Sequence, residues 1–228
     1  MGVQRSASSI FSTPQSFRPA GSPAGSFAHT PWWVCVLHDP YERINFWSHF
    51  LPGVAFSILS LCSFWGLIRG GNTLALFTTC ATTTHLLSAL THVWPDDHAL
   101  EKFDHVGIVG LIVGTPLTAA MAVGPGDDLG VMGAVTLALV AAAFMPPLFR
   151  TVTFVGLGAV LFFSYFYIVN LNFCIQVALY LMGAASFIRN SGHDRWPGWT
   201  DHHLLHYTVT AACMLHVYYI WAELKGAM

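Results

Sequence analysis

Three stretches of the chain carry side chains suited to binding a metal ion or moving protons. They are Ser88-Ala-Leu-Thr-His92, Asp104 within Lys-Phe-Asp-His-Val-Gly, and His202-His-Leu-Leu-His206. Residues four apart on a helix share one face, about one turn apart. His202 and His206 can therefore present their imidazoles to one ion, and Ser88 can support His92. This spacing makes the three histidines candidate metal ligands, with Ser88 and Asp104 beside them.

The residue types indicate hydrolytic chemistry. Three histidines leave the fourth position of a tetrahedral ion open to water, which is typical of a catalytic zinc site rather than a closed structural one. Water on zinc ionises near neutral pH and attacks carbonyl groups. Asp104 would then accept or orient a proton, and Ser88 would polarise the substrate. A haem held by two histidines stays open as an alternative, but it leaves the aspartate and the serine unexplained.

The elements that must position these residues are membrane-spanning helices. Of the 228 residues, 54% are hydrophobic and only 9% are charged, which is too little charge to cover a soluble domain. A helix needs roughly 20 mostly apolar residues to cross a bilayer. The apolar runs predict an all-α membrane protein with seven transmembrane helices, at about 46–68, 73–94, 105–125, 130–147, 152–170, 173–188 and 202–222.

The segments outside the bundle differ in composition. Residues 1–30 are rich in Ser, Pro, Gly and Ala, so we predict a disordered N-terminal extension that cannot bury enough apolar surface to fold. Residues 31–45 mix aromatic and charged groups, as interfacial segments do. The seven-helix domain then occupies 46–223, and 224–228 form a C-terminal tail.

The positive charges predict how the bundle is oriented. With a cytoplasmic N-terminus, two basic residues fall outside (Arg69 and Lys225) and the other seven fall inside (Arg5, Arg18, Arg43, Lys102, Arg150, Arg189 and Arg195). Cytoplasmic loops carry the excess of Lys and Arg, so we predict the N-terminus inside and the C-terminus outside. His92, Asp104, His202 and His206 then all lie at the cytoplasmic ends of their helices.

The remaining histidines and acids have simpler interpretations. We expect three intramembrane histidines to hydrogen-bond neighbouring helices, namely His49, His85 and His105. His203 points about 100° away from His202, which favours a supporting or lipid-facing position, and His216 is expected to make a buried polar contact. The polar loop with Asp96, Asp97 and His98 is interpreted as a solvated turn. Net charge is −2, which gives no electrostatic case for nucleic acid.

Several motifs together resemble a known family. Glu42-Arg-Ile-Asn-Phe-Trp-Ser-His49 is similar to an E-x-x-N-x-x-[ST]-H entry to the first helix. Ser88-x3-His92 with Asp104-His-Val-Gly resembles a second family motif, and Pro197-Gly-Trp-Thr-Asp-His-x3-His206, followed by His216, resembles the last. From about Tyr41 to Tyr219 the chain resembles the progestin and adipoQ receptor family. That family includes hemolysin III-like proteins and lies within a superfamily that contains the alkaline ceramidases.

The resemblance implies a zinc ion held by His92, His202 and His206, with Asp104 contacting the zinc-bound water and Ser88 nearby. It also implies one of two functions. The first is hydrolysis of a lipid amide, with ceramide as the best guess, and the second is a receptor or lipid-homeostasis regulator with structural zinc and no turnover. Pore formation finds little support, since no span carries a clear polar stripe. The expected partners are membrane lipids, such as ceramide or a fatty acid, in either the plasma membrane or an endomembrane.

Overall fold

The computed structural model describes residues 31–95, 97–124, 129–189 and 198–226. These residues form eight α-helices and one 3-10 turn, Phe166–Ile168, with no strand among them. The helices are α1 Trp32–Leu37, α2 Glu42–Phe64, α3 Gly71–Val93, α4 His98–Val123, α5 Leu129–Ala143, α6 Pro147–Ser164, α7 Leu171–Arg189 and α8 Asp201–Gly226. The all-α prediction is confirmed, and each predicted span falls on one of the helices α2 to α8. The predicted disordered extension, residues 1–30, lies outside the described residues.

Apolar helices long enough to cross a membrane are present in the described parts of the chain. Three combine sufficient length with low charge: Glu42–Phe64, Ala99–Val123 and Leu171–Arg189. Two shorter apolar helices, Met132–Ala143 and Phe149–Ser164, accompany them. Large apolar side chains also cover the outside of the bundle, among them Ile58 and Leu61 on α2, each more than half exposed. In a membrane protein these side chains face lipid.

Two aspartates set where the helices near the site begin. The Asp39 carboxylate accepts hydrogen bonds from the backbone N–H groups of Tyr41 and Glu42 at 2.8 and 2.7 Å. The Asp97 carboxylate accepts from the first turn of α4, at Ala99 and Leu100. Such caps satisfy backbone donors that otherwise lack partners at a helix start. Both helices therefore begin in polar sequence, ahead of their apolar runs.

The start predicted for the third span was therefore wrong by one to two turns. The apolar run predicts a helix from 105, whereas α4 begins at His98. Asp104 lies inside α4 as a result. Asp97 fits the predicted polar turn as the cap of α4, while Asp96 and the side chain of His98 lie outside the described residues.

Close packing between α3 and α4 brings two parts of the site together. A Cβ on Gly107 would come within 2.9 Å of the Cα of Thr84, so only glycine fits this approach. The Thr84 hydroxyl donates to the carbonyl of Gly107 at 2.7 Å, which joins the two helices at the same level. Small residues allow such approaches where lipid provides no hydrophobic drive between helices. The contact holds the last turns of α3, with Ser88 and His92, against the first turns of α4.

Candidate metal centre

Three imidazoles from two distant stretches of chain meet at one end of the bundle. His92 lies in the last turn of α3, and His202 and His206 lie in the first two turns of α8. One nitrogen from each ring lies within 4.8 Å of the corresponding nitrogens of the other two. His92 and His206 are buried, and His202 is half-buried. The structure thus brings together the three histidines that the sequence singled out, in a cluster that could hold a metal ion.

The carboxylate of Glu42 orients His92. Its Oε2 lies 2.7 Å from Nδ1 of His92, and only 5% of Glu42 is exposed. Since a carboxylate accepts, Nδ1 carries the proton and donates. The lone pair is then on Nε2, the atom that faces His202. A carboxylate behind the far nitrogen of a ligand histidine is a recurrent feature of metal sites, because it sets the tautomer and raises the basicity of the ring.

A serine orients His206 in the same way. The Ser48 hydroxyl donates its proton to the carbonyl of Asn45 at 2.9 Å. Its oxygen also lies 2.9 Å from Nδ1 of His206, and with the hydroxyl proton directed to that carbonyl it accepts a hydrogen bond from the ring. His206 therefore also carries its proton on Nδ1, which leaves its Nε2 free to coordinate.

The separation of two of the three nitrogens matches that expected around a tetrahedral ion. Nε2 of His92 lies 3.3 Å from Nε2 of His202. Zinc–nitrogen bonds of about 2.0–2.1 Å at a tetrahedral angle place two ligand nitrogens roughly 3.3–3.4 Å apart. With its proton on Nδ1, His92 turns a lone pair toward His202, and a shared cation is one way to stabilise this arrangement. The three imidazoles and the His92–His202 separation therefore suit a metal such as zinc, copper, iron or nickel, all of which accept imidazole ligands.

Asp104 and Ser88 lie beside the cluster. Ser88 is buried, one turn before His92 on α3. The Asp104 carboxylate is within hydrogen-bonding reach of the Ser88 hydroxyl, and the ionisable groups that act on it include His92, Glu101 and Arg150. Arg150, on α6, is itself buried. A proton-accepting group and a hydroxyl thus lie next to one of the three imidazoles.

The start of α8 is fixed by contacts on both sides. The Thr200 hydroxyl accepts from the backbone N–H of His203, which caps the helix. The guanidinium of Arg189, at the end of α7, pairs with the fully buried Asp201. Nε2–H of His203 donates to the carbonyl of Tyr41 at 3.2 Å and so ties α8 to the start of α2. His203 is fully buried, so it supports the site and does not face lipid.

The predictions for the other histidines are confirmed at some positions and wrong at others. His85 hydrogen-bonds Thr210 on α8 at 3.0 Å, as expected, and His216 lies between Thr118 and Gln176 in a buried polar contact. His105 instead bonds the carbonyl of Glu101 on its own helix. For His49 the expectation was wrong within the described part of the chain, where both of its ring nitrogens lack a hydrogen-bond partner.

Reasoning from single helices missed Glu42 and Ser48 as parts of the site. The signal was present in the E-x-x-N-x-x-S-H segment, whose polar residues recur at helical spacing on one face of α2. Which side chains Glu42 and Ser48 contact depends on how α2 packs against α3 and α8. A separate apolar groove of about 380 Å³, lined in part by Leu59, Arg69 and Trp221, lies toward the other end of α2 and α8, away from the imidazoles.

Helical architecture, apolar outer surface and buried histidine cluster together define a multi-pass integral membrane protein with a candidate metal centre. The model of the haemolysin-III related family matches residues 38–217, which include Glu42, Ser48, Asp104 and all three clustered histidines. The chain belongs to this family, which is the progestin and adipoQ receptor and hemolysin III-like family that its motifs resemble. No curated protein matches it.

Proposed function

We propose that this protein is a zinc-dependent membrane hydrolase that cleaves the amide bond of a lipid, with a ceramide-like molecule as the best candidate. The observation that carries the proposal is the cluster of His92, His202 and His206, two of whose rings are held with Nε2 free. Three imidazoles with a neighbouring carboxylate match a catalytic zinc site, where protein ligands leave one position open. Asp104 supplies that carboxylate.

The proposal places the chemistry in the cytoplasmic leaflet. We assign α2 to α8 as seven crossings with the N-terminus inside and the C-terminus outside, in agreement with the distribution of Lys and Arg. His92 ends an inward-running helix in this topology, and His202 begins an outward-running one. A membrane lipid reaches such a site from the side of the bundle, and the acyl chain lies between helices.

Each residue of the site has its own role in the proposed amide hydrolysis. A bound zinc ion supplies Lewis-acid activation of water and of the amide carbonyl. Asp104 takes a proton from the attacking water as its oxygen bonds to the carbonyl carbon, and returns that proton to the amine as the carbon–nitrogen bond breaks. The products are a fatty acid and an amine. Ser88 donates its hydroxyl hydrogen to Asp104 or to the substrate. Glu42 and Ser48 hold the rings of His92 and His206 with Nε2 toward the metal position.

A receptor or lipid-homeostasis regulator with structural zinc is the alternative. The proximity of Asp104 to His92 supports it, because the carboxylate can serve as a fourth protein ligand and close the site. The two functions differ in the role of one side chain. As an enzyme the protein needs Asp104 for turnover, whereas as a regulator it needs Asp104 for metal retention.

Metal content tests the ligand assignment. Protein purified in detergent is expected to carry about one zinc per chain, and His206→Ala should lose most of it. His38→Ala is the matched control, since His38 is exposed and contacts Trp33 edge to face at the N-terminal side. Equal zinc in wild type and His206→Ala would defeat the assignment.

Asp104→Asn separates the two functions. We expect the variant to keep its zinc and to lose hydrolysis of a fluorescent N-acyl lipid, which supports the enzyme. Loss of zinc would support the regulator with Asp104 as a ligand. Unchanged hydrolysis would remove Asp104 from the mechanism.

A further inference from the structure

Two residues on α2 bury polar atoms for which the described part of the chain provides no hydrogen bond. Asn45 is fully buried and His49 is 4% exposed. Both side-chain amide atoms of Asn45 and both ring nitrogens of His49 lack partners among the described residues. Buried polar groups are otherwise paired almost everywhere in proteins, so an unpaired group needs an explanation such as a water or a ligand.

These four atoms face the histidine cluster. At 100° per residue, Ser48, Asn45, His49 and Glu42 follow one another around α2 within about 120°. The outer two, Ser48 and Glu42, bond His206 and His92, so the two residues between them point to the same region. The His49 ring also stacks on the His206 ring, with centroids 3.7 Å apart.

No described residue hydrogen-bonds the amide atoms of Asn45 or the ring nitrogens of His49. The Tyr41 hydroxyl approaches Asn45, but neither amide atom of Asn45 has hydrogen-bond geometry to it. Burial and the neighbouring Glu42 carboxylate raise the pKa of Tyr41 well above its usual value, so this hydroxyl stays protonated. The half-buried Asp104 and His202 mark the more open side of the cluster.

The geometry points to Asn45 and His49 as the residues that recognise the amide group of the lipid, an inference that rests on the proposed function. Asn45 presents two N–H donors and one carbonyl acceptor, and a neutral His49 presents one donor and one acceptor. A secondary amide offers the complementary pair, a carbonyl acceptor and an N–H donor. An ester or a carboxylate offers no donor and leaves both acceptors of Asn45 and His49 unpaired, whereas the N–H of a secondary amide pairs with one of them; an unpaired acceptor is costly in a buried site. The pair therefore selects amides over esters.

Thermal stability without ligand gives the first test. Asn45→Leu removes two unpaired buried polar atoms at nearly the same volume, so the ligand-free variant should unfold at the same temperature as wild type or higher. Thr84→Val is the matched control, because Thr84 is buried with its hydroxyl bonded to Gly107, and it should unfold at a lower temperature. A large loss of stability, or failure to fold, for Asn45→Leu would show that the amide has a structural partner and would overturn the inference.

Ligand preference gives the second test. Binding of a fluorescent fatty amide and of its N-methylated tertiary analogue, which lacks the N–H, would be measured in the Asp104→Asn background to limit turnover. The secondary amide should bind about tenfold more tightly, and Asn45→Leu should abolish that preference. His49→Leu should weaken binding of both. An unchanged preference in Asn45→Leu would contradict the inference.

The two readouts separate this inference from the proposed hydrolysis. If the protein never cleaves amides, a preference for the secondary amide that depends on Asn45 still supports recognition by this pair. If cleavage occurs but Asn45→Leu keeps the preference, the hydrolase stands and recognition by Asn45 fails.

Discussion

The carboxylate of Glu42 lies 2.7 Å from Nδ1 of His92 and thereby joins the start of α2 to the end of α3. A single hydrogen bond thus determines which nitrogen of His92 is available to a metal. It also makes the first turn of α2 part of the site, although it contributes none of the three clustered nitrogens.

Glu42→Gln should weaken metal binding while the fold persists. Glutamine keeps an acceptor near Nδ1 but loses the negative charge that raises the basicity of the imidazole, and loss of such partners typically costs about 10- to 100-fold in metal affinity. Competition with a chelator of known affinity measures the change. Glu223→Gln, on the last turns of α8, is the control and should bind metal as wild type does. Equal affinity for Glu42→Gln would show that Glu42 serves only to hold α2 and α3 together.

Ser48→Ala should have a smaller effect of the same kind. The variant removes a neutral acceptor from Nδ1 of His206, and a neutral hydrogen bond contributes about 1 kcal/mol, or roughly fivefold in affinity. The same chelator competition applies. Ser60→Ala removes a hydroxyl from the same helix, where Ser60 bonds Ala75 and Thr79, and should leave metal affinity unchanged. A loss for Ser60→Ala equal to that for Ser48→Ala would mean that α2 packing, and not His206, is responsible.

Gly107→Ala should destabilise the bundle. The added Cβ would meet the Cα of Thr84 at 2.9 Å, and overpacking of this kind costs about 1–3 kcal/mol. Gly133→Ala on α5 is the matched control, since nothing lies within 4 Å of its added Cβ, and it should be neutral or stabilising by about 0.5–1 kcal/mol. Denaturant or heat unfolding in detergent micelles compares the two. Equal behaviour would contradict the close α3–α4 approach.

The two termini should lie on opposite sides of the membrane. The proposed topology has seven crossings between them, and the excess of Lys and Arg predicts that the N-terminus is cytoplasmic. A reporter that is active only in the cytoplasm should work when fused before Met1 and fail when fused after Met228. A reporter that works at both ends would require an even number of crossings and would overturn the proposed seven-crossing topology.

Local sequence was sufficient to pair the site residues that share one helix. The pairs Ser88 with His92 and His202 with His206 share a face because helical periodicity alone places residues four apart together. The apolar runs located α2 to α8 for a similar reason, since crossing a bilayer requires a long stretch of apolar side chains. The start of α4 escaped prediction because Asp97 extends that helix into polar sequence, where hydropathy gives no signal.

The sequence by itself thus determined the helices, the family and the three histidines most suited to bind metal. Only the tertiary structure decided that Glu42 and Ser48 set the tautomers of His92 and His206. It also decided that Asn45 and His49 lie on the same side of α2, with no hydrogen-bond partner among the residues that the structure describes. The physical reason is that contacts between helices depend on how α2, α3 and α8 pack, which no spacing within a single helix encodes. The role of α2 in the site is therefore a property of the folded bundle.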